Sequence, residues 1–179
     1  MIKTDILVIG SGAAGLSFAL KVAQNDSSLR VTVATKVDRS ESNTKYAQGG
    51  IAVVVDESDS FESHVQDTLT AGAGICDESI VRMVVEEAPE RLKELVEWGA
   101  RFDITHAGEL DLGKEGGHGK NRIVHHKDVT GLEIEQKLLI QIGETRNIRI
   151  LDHHFAIDLI TEHHLNMELV PDKRTCYGA

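Results

Sequence analysis

The sequence predicts an α/β fold built on a parallel sheet, and three local patterns lead to this prediction. The apolar run at residues 6–9 is typical of a buried parallel strand. The glycine-rich stretch 10–15 follows it at once and leads into a segment with helical periodicity. Further apolar runs at 29–35 and 148–151 are typical of two more parallel strands. Strands that alternate with helices in this way favour a doubly wound sheet.

The glycine turn, Gly10-Ser11-Gly12-Ala13-Ala14-Gly15, is typical of a dinucleotide-binding fingerprint. Gly10 permits a tight turn, Gly12 lets the backbone approach a pyrophosphate, and Gly15 lets the helix pack on the strand. The helix N-terminus offers N–H groups and the positive end of its dipole to the phosphates. We therefore predict a dinucleotide site here rather than a purely structural turn.

The end of the second strand departs from the simplest NAD pattern. An acid near this point normally binds the ribose hydroxyls of adenosine, but here the strand ends in Thr35-Lys36 and the first acid is Asp38. Thr35 is a candidate for a ribose hydroxyl, whereas Lys36 and Arg39 are suited to a 2′-phosphate. The residues alone are therefore compatible with an NADP site as well.

Composition narrows the class of protein. A chain of 179 residues has the size of one domain or slightly more. Its net charge of −10 argues against a nucleic-acid or anionic-membrane surface. No apolar run is long enough for a membrane span and no signal peptide is expected. Cys76 and Cys176 form no metal or redox pair, which favours a reduced, cytoplasmic protein. The histidines lack ligand spacing, so no metal site is expected.

Helix boundaries follow from capping residues. Ser60 and Asp77 are predicted to cap two helices. Pro89 predicts a kink or a new start in the second helix, and Gly99 is the candidate for its left-handed C-terminal residue. Residues 130–133, Thr-Gly-Leu-Glu, fit a capping box at the start of a further helix.

An antiparallel meander is predicted after the parallel sheet. Alternation at residues 155–159 is typical of a half-buried strand, and 165–170 and 174–178 are predicted to be two more strands. Short strands are also predicted at 53–55 and 123–124. Since a second βαβαβ half is missing, we expect the chain to be the N-terminal part of a longer protein.

Three loop motifs resemble one family of flavoproteins. They are Ser42-Asn-Thr-Lys-Tyr-Ala-Gln-Gly-Gly-Ile-Ala52, Asp59-Ser-Phe-Glu-Ser-His-Val-Gln-Asp-Thr68, and Glu115-Gly-Gly-His118 with the Arg122-Ile-Val-His125 and Asp128-Val-Thr-Gly131 that follow it. Together they resemble the flavoproteins of the succinate dehydrogenase, fumarate reductase and L-aspartate oxidase family. The first motif resembles the loop that embraces FAD in that family.

The resemblance implies a Rossmann-like FAD-binding domain over residues 1–179, without the capping and C-terminal helical domains of the family. Asn43 stands where many members carry a histidine joined to the flavin, which implies non-covalent FAD. The pair Thr35-Lys36 also fits the family and weakens the NADP interpretation. The implied cofactor-binding residues are Gly10, Ser11, Gly12, Ala13, Ala14, Gly15, Thr35, Lys36, Asn43, Thr44, Lys45, Tyr46, Ala47, Gln48, Gly49 and Gly50.

The Glu-Gly-Gly-His form resembles the L-aspartate oxidases in particular. A substrate ammonium needs a carboxylate partner, and the resemblance implies that Glu115 orients it in the active site. Residue type alone favours a solvent-exposed loop position for Glu115 over a substrate-binding role. The implied reaction oxidises L-aspartate to iminoaspartate by hydride transfer to FAD, with oxygen or fumarate as acceptor. This is the first step of NAD biosynthesis, and a quinolinate synthase would consume the product.

Two alternatives stay open. One is a fumarate reductase or succinate dehydrogenase flavoprotein, against which Asn43 and Glu115 argue; the other is a non-catalytic NADP-binding module. The arginine that transfers protons in the family, and the residues that grip the substrate carboxylates, have no counterpart in this sequence, so we expect no turnover from the chain alone. His118 and His125 are candidates either to line the substrate side or to hold the glycine-rich loop.

Overall fold

The computed structural model describes residues 2–165 and 175–179, and the chain divides into two compact units. The first comprises Met1–Ser42 and Leu139–Ala179, and the second Asn43–Leu138. The elements in chain order are β1 (Ile6–Ile9), α1 (Ala13–Asn25), β2 (Val31–Ala34), β3 (Ile51–Ala52), α2 (Phe61–Ala71), α3 (Glu78–Glu97), β4 (Leu112–Gly113), β5 (Ile123–Val124), α4 (Thr130–Glu144) and β6 (Ile148–Leu151). Two 3₁₀ turns cover Thr44–Tyr46 and Glu162–Leu165.

The first unit contains a parallel sheet with the strand order β1-β2-β6. Ile6 pairs with Val31, and Val31 pairs on its other side with Ile148. β2 is therefore the central strand, and Val31 and Val33 are fully buried, as expected for a strand covered on both faces. Helix α1 packs on this sheet and buries Leu16 and Leu20. The predicted strand–turn–helix–strand arrangement is confirmed.

The second unit contains an antiparallel sheet with the order β3-β5-β4. The predicted α/β class with a parallel and an antiparallel sheet is therefore confirmed, but the antiparallel strands lie elsewhere in the chain than predicted. The strand predicted at 53–55 is wrong by two residues: Ile51–Ala52 forms β3. Val53 follows it and is buried in a core with Leu92 and Val124.

The strand predicted at 155–159 is wrong. These residues form no ladder, and Ile157 is 92% exposed, so the alternating pattern has no sheet to face. Only Ile160 forms an isolated bridge in this region, with Gly178. The strand predicted at 165–170 begins in a 3₁₀ turn at Leu165, and its remaining residues lie outside the described residues. The strand predicted at 174–178 is wrong, because among its described residues, 175–178, only Gly178 pairs, in the isolated bridge with Ile160.

The predicted caps of α2 and α3 are confirmed. Ser60 Oγ accepts a hydrogen bond from the Ser63 amide at 3.1 Å, and Asp77 Oδ1 accepts from the Ser79 amide at 2.9 Å. Gly99 follows α3 with φ +95°. The new helix start at Pro89 is wrong, because α3 continues through it. Packing of its amphipathic face on both sides of the proline outweighs the lost hydrogen bond.

The capping box predicted at the start of α4 is wrong. Thr130 is already helical, and its hydroxyl accepts a hydrogen bond from the His126 amide at 3.0 Å. The Glu133 carboxylate accepts from the Arg101 amide at 3.0 Å instead of reaching back to the helix start. Thr130 therefore bonds to the residues that precede the helix, and Glu133 has a tertiary partner 32 residues away.

Candidate functional site

The glycine turn of the first unit tolerates no side chain at two of its positions. Gly10 has φ +106°, a conformation that favours glycine, and a Cβ on Gly15 would overlap the carbonyl oxygen of Gly10. Helix α1 begins directly after the extended residue Gly12, and its first turn carries no acidic residue. The positive end of the helix dipole therefore faces the turn without an opposing carboxylate, an arrangement that fits a pyrophosphate.

The turn is joined to the end of β2 by two hydrogen bonds. The Gly10 amide donates to the Ala34 carbonyl at 2.8 Å, and the Ser11 hydroxyl donates to the Thr35 hydroxyl at 3.1 Å. Both hydroxyl side chains are buried, whereas Lys36 is exposed. The structure thus brings the predicted phosphate turn and the predicted ribose residue Thr35 together.

Arg39 has a partner within its own unit. Its backbone amide donates to Asp152 Oδ1 at 2.7 Å and its Nε to both carboxylate oxygens at 3.1 Å. The hydrogen bond from Arg39 lowers the pKa of the Asp152 carboxyl. A guanidinium already paired with a carboxylate is poorly placed to bind a 2′-phosphate, so the arrangement disfavours the NADP alternative.

In the second unit, the predicted cofactor loop, residues 43–50, is held by the start of α4 and by β5. The Gly131 amide donates to the Ala47 carbonyl at 2.9 Å, and a Cβ on Gly131 would overlap the Thr44 carbonyl oxygen. Gly50 has φ +142°, and a Cβ there would lie 2.6 Å from Ile123 Cγ2. The loop therefore has a defined backbone path, as a backbone-lined ligand site requires.

Glu115 lies beside this loop. Its Oε1 is 3.2 Å from the position that a Cβ on Gly49 would occupy. The side chain is exposed and is carried by residues 114–121, which connect β4 to β5; we call this segment the Glu115 loop. The structure therefore places the predicted substrate-binding carboxylate against the Gly-Gly pair of the predicted cofactor loop.

A fully buried arginine stands at the base of the Glu115 loop. Arg122 Nε and Nη2 donate to the two carboxylate oxygens of Asp59 at 2.8 and 2.9 Å, and Nη1 donates to Asp67 Oδ2 at 2.7 Å. We call these three residues the Arg122 network. Burial by itself would raise the pKa of Asp59, but the hydrogen bonds from Arg122 outweigh it and the pKa is lowered. All three side chains are therefore charged.

Two histidine rings adjoin this network. His64 and His118 meet edge to face with their centroids 5.9 Å apart, and the Nδ1 atom of each is buried without a hydrogen-bond partner among the described residues. Burial lowers the pKa of His64, and the nearby charge of Arg122 lowers it further, so its neutral form is favoured. His125, the other candidate, instead places Nδ1 3.2 Å from Asp103 Oδ2.

The sequence interpretation missed the role of α2. His64, which lies within the motif 59–68, is only 6% exposed. Asp67 lies three residues further on, so both side chains lie on one helix face. This spacing within 59–68 is the signal that would have indicated a buried polar face.

A cavity of about 380 Å³ opens next to the Glu115 loop. It is lined by Asp67, Thr68, Ala71, Gly72, Cys76, Gly116, Gly117 and His118. The walls combine glycine backbone with an imidazole and a hydroxyl, groups that hydrogen-bond small polar ligands.

Two classes of feature are absent from the described part of the chain. No group of three or more His, Cys, Asp or Glu side chains in residues 2–165 and 175–179 is arranged to hold a metal ion. No helix in the same residues is both long and apolar enough to cross a bilayer.

Comparisons with known proteins agree with these features. The family model described as "FAD binding domain" matches residues 5–179. L-aspartate oxidase from Oryza sativa is 54% identical over 157 residues, which cover 88% of this chain and 24% of that protein. L-aspartate oxidase from Vibrio cholerae is 52% identical over 165 residues, covering 89% and 30%.

Solved structures of related enzymes have the same fold. Quinol fumarate reductase FrdA of E. coli superposes with a TM-score of 0.85 at 29% identity, covering 88% of this chain and 27% of that one. Sdh1 of Mycobacterium smegmatis gives a TM-score of 0.76 at 33% identity, covering 84% and 27%. The chain thus spans between about a quarter and a third of the length of the relatives it matches. Because the family model matches nearly the whole chain, the chain belongs to the FAD-binding domain family of the succinate dehydrogenase and fumarate reductase flavoproteins, and FAD is its cofactor.

Proposed function

We propose that this chain is the FAD-binding part of an L-aspartate oxidase, with residues 1–179 forming its N-terminal FAD-binding domain. The reaction is the oxidation of L-aspartate to iminoaspartate for NAD biosynthesis, with oxygen or fumarate as the final electron acceptor. The observation that carries the proposal is the Glu115 carboxylate beside Gly49. It supports a site in which an amino substrate is held against the cofactor loop.

The predicted cofactor residues are assigned to FAD. The glycine turn 10–15 would hold the pyrophosphate on backbone N–H groups, and Thr35 and Lys36 would meet the adenosine side. The loop 43–50 would hold the flavin end without a covalent bond, because residue 43 is asparagine. Bound FAD supplies the hydride acceptor, and the protein supplies binding, orientation and electrostatics.

Glu115 is assigned to the substrate ammonium. A carboxylate that accepts charge-assisted hydrogen bonds from an ammonium both attracts and orients it. A cavity lined by Gly116, Gly117 and His118 adjoins the same loop. Quinolinate synthase as the partner that consumes the product, and a cytoplasmic location, belong to the same proposal; both cysteines are free thiols, in keeping with a reducing compartment.

The central experiment replaces Glu115 with glutamine in the protein at its full natural length. Charge-assisted hydrogen bonds contribute roughly 1.5–3 kcal/mol, so the KM for L-aspartate should rise about 10- to 100-fold. Fumarate has no ammonium, so the KM for its reduction should not change. Glu109→Gln, a change of the same type at another exposed position, is the matched control.

The outcomes separate the alternatives. Equal loss with aspartate and fumarate would remove Glu115 from the ammonium site. Oxidation of succinate in preference to aspartate by the unchanged protein would favour a succinate dehydrogenase or fumarate reductase flavoprotein instead.

Cofactor preference is tested by thermal unfolding with equal concentrations of FAD, NADPH and NAD. A ligand present at 100 times its Kd stabilises the folded state by roughly 2.7 kcal/mol, which raises the Tm by several degrees. We expect FAD alone to do so. A selective shift with NADPH would instead support the NADP-binding module.

A further inference from the structure

The Glu115 loop is hydrogen-bonded to helix α2 through the Asp67 carboxylate. Asp67 Oδ2 accepts a hydrogen bond from the Gly119 amide at 2.6 Å and one from Arg122 Nη1 at 2.7 Å. Asp67 is on α2, Gly119 is in the loop, and Arg122 lies between the loop and β5. One oxygen atom therefore joins α2 to the Glu115 loop and to Arg122, which lie 52 and 55 residues further along the chain.

The charges of the Arg122 network explain why Asp67 needs the hydrogen bond from the Gly119 amide. Arg122 carries one positive charge, whereas Asp59 and Asp67 together carry two negative charges. Asp59 takes a bidentate pair with the guanidinium and is 1% exposed, so it is the better neutralised of the two carboxylates. The remaining negative charge on Asp67 is stabilised by the backbone N–H of Gly119, and this hydrogen bond is the first cause of its lowered pKa.

The bond at Gly119 extends along the loop to Glu115. The His118 amide donates to the Glu115 carbonyl at 3.2 Å, and Lys114 Nζ donates to the Gly119 carbonyl at 3.4 Å. The ring of His118 rests edge-on against His64 of α2. Residues 114–119 thus form one hydrogen-bonded turn, and its contacts with α2 determine where the turn lies.

We propose that Asp67, with Arg122 behind it, is a positioning residue that holds the Glu115 loop so that the Glu115 carboxylate stands beside the cofactor loop and meets the substrate ammonium. The proposal rests on the proposed function of Glu115 and adds the device that positions it. Asp67 acts through the loop and does not itself bind the ammonium.

The test uses Asp67→Asn in the protein at its full natural length. Asparagine keeps the side-chain shape and one oxygen acceptor but removes the charge that holds both Gly119 and Arg122. Misplacement of a positioned group by about 1 Å can cost up to about 100-fold, and we expect the KM for L-aspartate to rise about tenfold. The Kd for FAD and the KM for fumarate should stay within about twofold. Equal rises for aspartate and fumarate would overturn the proposal.

A double-mutant cycle with Glu115→Gln provides the decisive comparison. If Asp67 acts through Glu115, adding Asp67→Asn to Glu115→Gln causes no further rise in the KM for aspartate. Fully additive effects would overturn the positioning role. Failure of the proposed function is seen separately, as a Glu115→Gln variant with an unchanged KM for aspartate.

Hydrogen exchange gives a readout that does not depend on activity. The amides of residues 115–121 should exchange faster in Asp67→Asn than in the unchanged protein, while those of α1 should not change. Gly119→Ala is a second variant, because its Cβ would lie 3.2 Å from Asp67 Oδ2 and would push the loop away without altering any charge. It should reproduce both effects, and unchanged exchange in both variants would overturn the proposal.

Glu62→Gln is the matched control. Glu62 also lies on α2, loses the same charge on substitution, and forms only an exposed pair with Arg82 at 3.0 Å. Its KM for aspartate and its loop exchange should equal those of the unchanged protein. A control variant that behaves like Asp67→Asn would assign the effect to the charge of α2 in general and would overturn the proposal.

Discussion

The glycine turn of the first unit and the Arg122 network of the second are built in opposite ways. The turn lies within residues 10–15 and uses backbone atoms and missing side chains. The network joins Asp59 and Asp67 to Arg122, across 63 and 55 residues of sequence, and is built on charged side chains. The turn is therefore visible as a motif, whereas the network becomes visible only when the chain is folded.

The two regions are also disrupted by different kinds of substitution. Added volume damages the turn, because the backbone of Gly10 occupies the space beside Gly15. Unbalanced charge damages the network, because Arg122 is fully buried and Asp59 nearly so. Substitutions that change only volume or only charge should therefore separate the two regions.

The largest effect is expected from Arg122→Leu. Removing one partner of a buried ion pair leaves an uncompensated charge and costs about 3–5 kcal/mol. The free energy of unfolding of the chain, measured by urea denaturation, should fall by that amount. Arg82→Leu is the control, because Arg82 pairs with the exposed carboxylates of Glu62, Glu78 and Glu86 and its loss should have a much smaller effect. Similar losses for the two variants would show that burial of Arg122 is not what makes it important.

The next effect is expected from Gly15→Ala. The new Cβ would overlap the Gly10 carbonyl oxygen, and overpacking of this kind costs about 1–3 kcal/mol. The distorted turn should also bind FAD more weakly in a flavin-fluorescence titration. Gly143→Ala in α4 is the control: nothing lies within 4 Å of its Cβ position, so it should be neutral or stabilising by up to about 1 kcal/mol. Unchanged FAD binding in Gly15→Ala would argue against a pyrophosphate at this turn.

A pH-dependent effect is expected from His64. The folded-state pKa of His64 is lowered from about 6.5, the usual pKa of histidine. At pH values between the folded-state pKa and about 6.5, the unfolded chain therefore binds more protons than the folded chain. This stabilising contribution is fully present above about 6.5 and is lost as the pH falls through the folded-state pKa, by at most about 1.4 kcal/mol per pH unit. The decline in stability on acidification should therefore be less steep in His64→Gln than in the unchanged chain. Equal slopes would mean that His64 is not buried in its neutral form.

The smallest effect is expected from Ser60→Ala, which removes a hydroxyl and leaves in place the Ser60 amide that donates to Asp59 Oδ1. Loss of an N-cap hydroxyl costs about 1 kcal/mol, since the Ser63 amide loses its partner. Thr70→Ala, within the same helix, should have less effect, because the Thr70 hydroxyl bonds to Gln66 of the preceding turn, donating to its carbonyl and accepting from its side-chain amide. A loss as large as that of Arg122→Leu would mean that the start of α2 is coupled to the Arg122 network.

Much of the fold could be predicted because its signals are local. The apolar runs of β1, β2 and β6, the caps Ser60 and Asp77, and the glycine turn each depend on neighbouring residues. Errors occurred where distant residues decide the structure. The Glu133 carboxylate bonds to the Arg101 amide instead of completing a capping box at α4, and residues 155–159 form no ladder within the part of the chain that the structure describes.

The features of the candidate site show the same distinction between local and tertiary signals. The sequence by itself predicted the glycine turn from residue type and spacing, and its resemblance to the flavoprotein family indicated the cofactor-loop motif, Asn43 and Glu115. Only the tertiary structure decided that Arg39 is paired with Asp152, that Glu115 lies against Gly49, and that α2 turns a charged face inward. The physical reason is that a backbone turn depends on the conformational freedom of adjacent residues, whereas a buried charge depends on which distant partners folding brings to it.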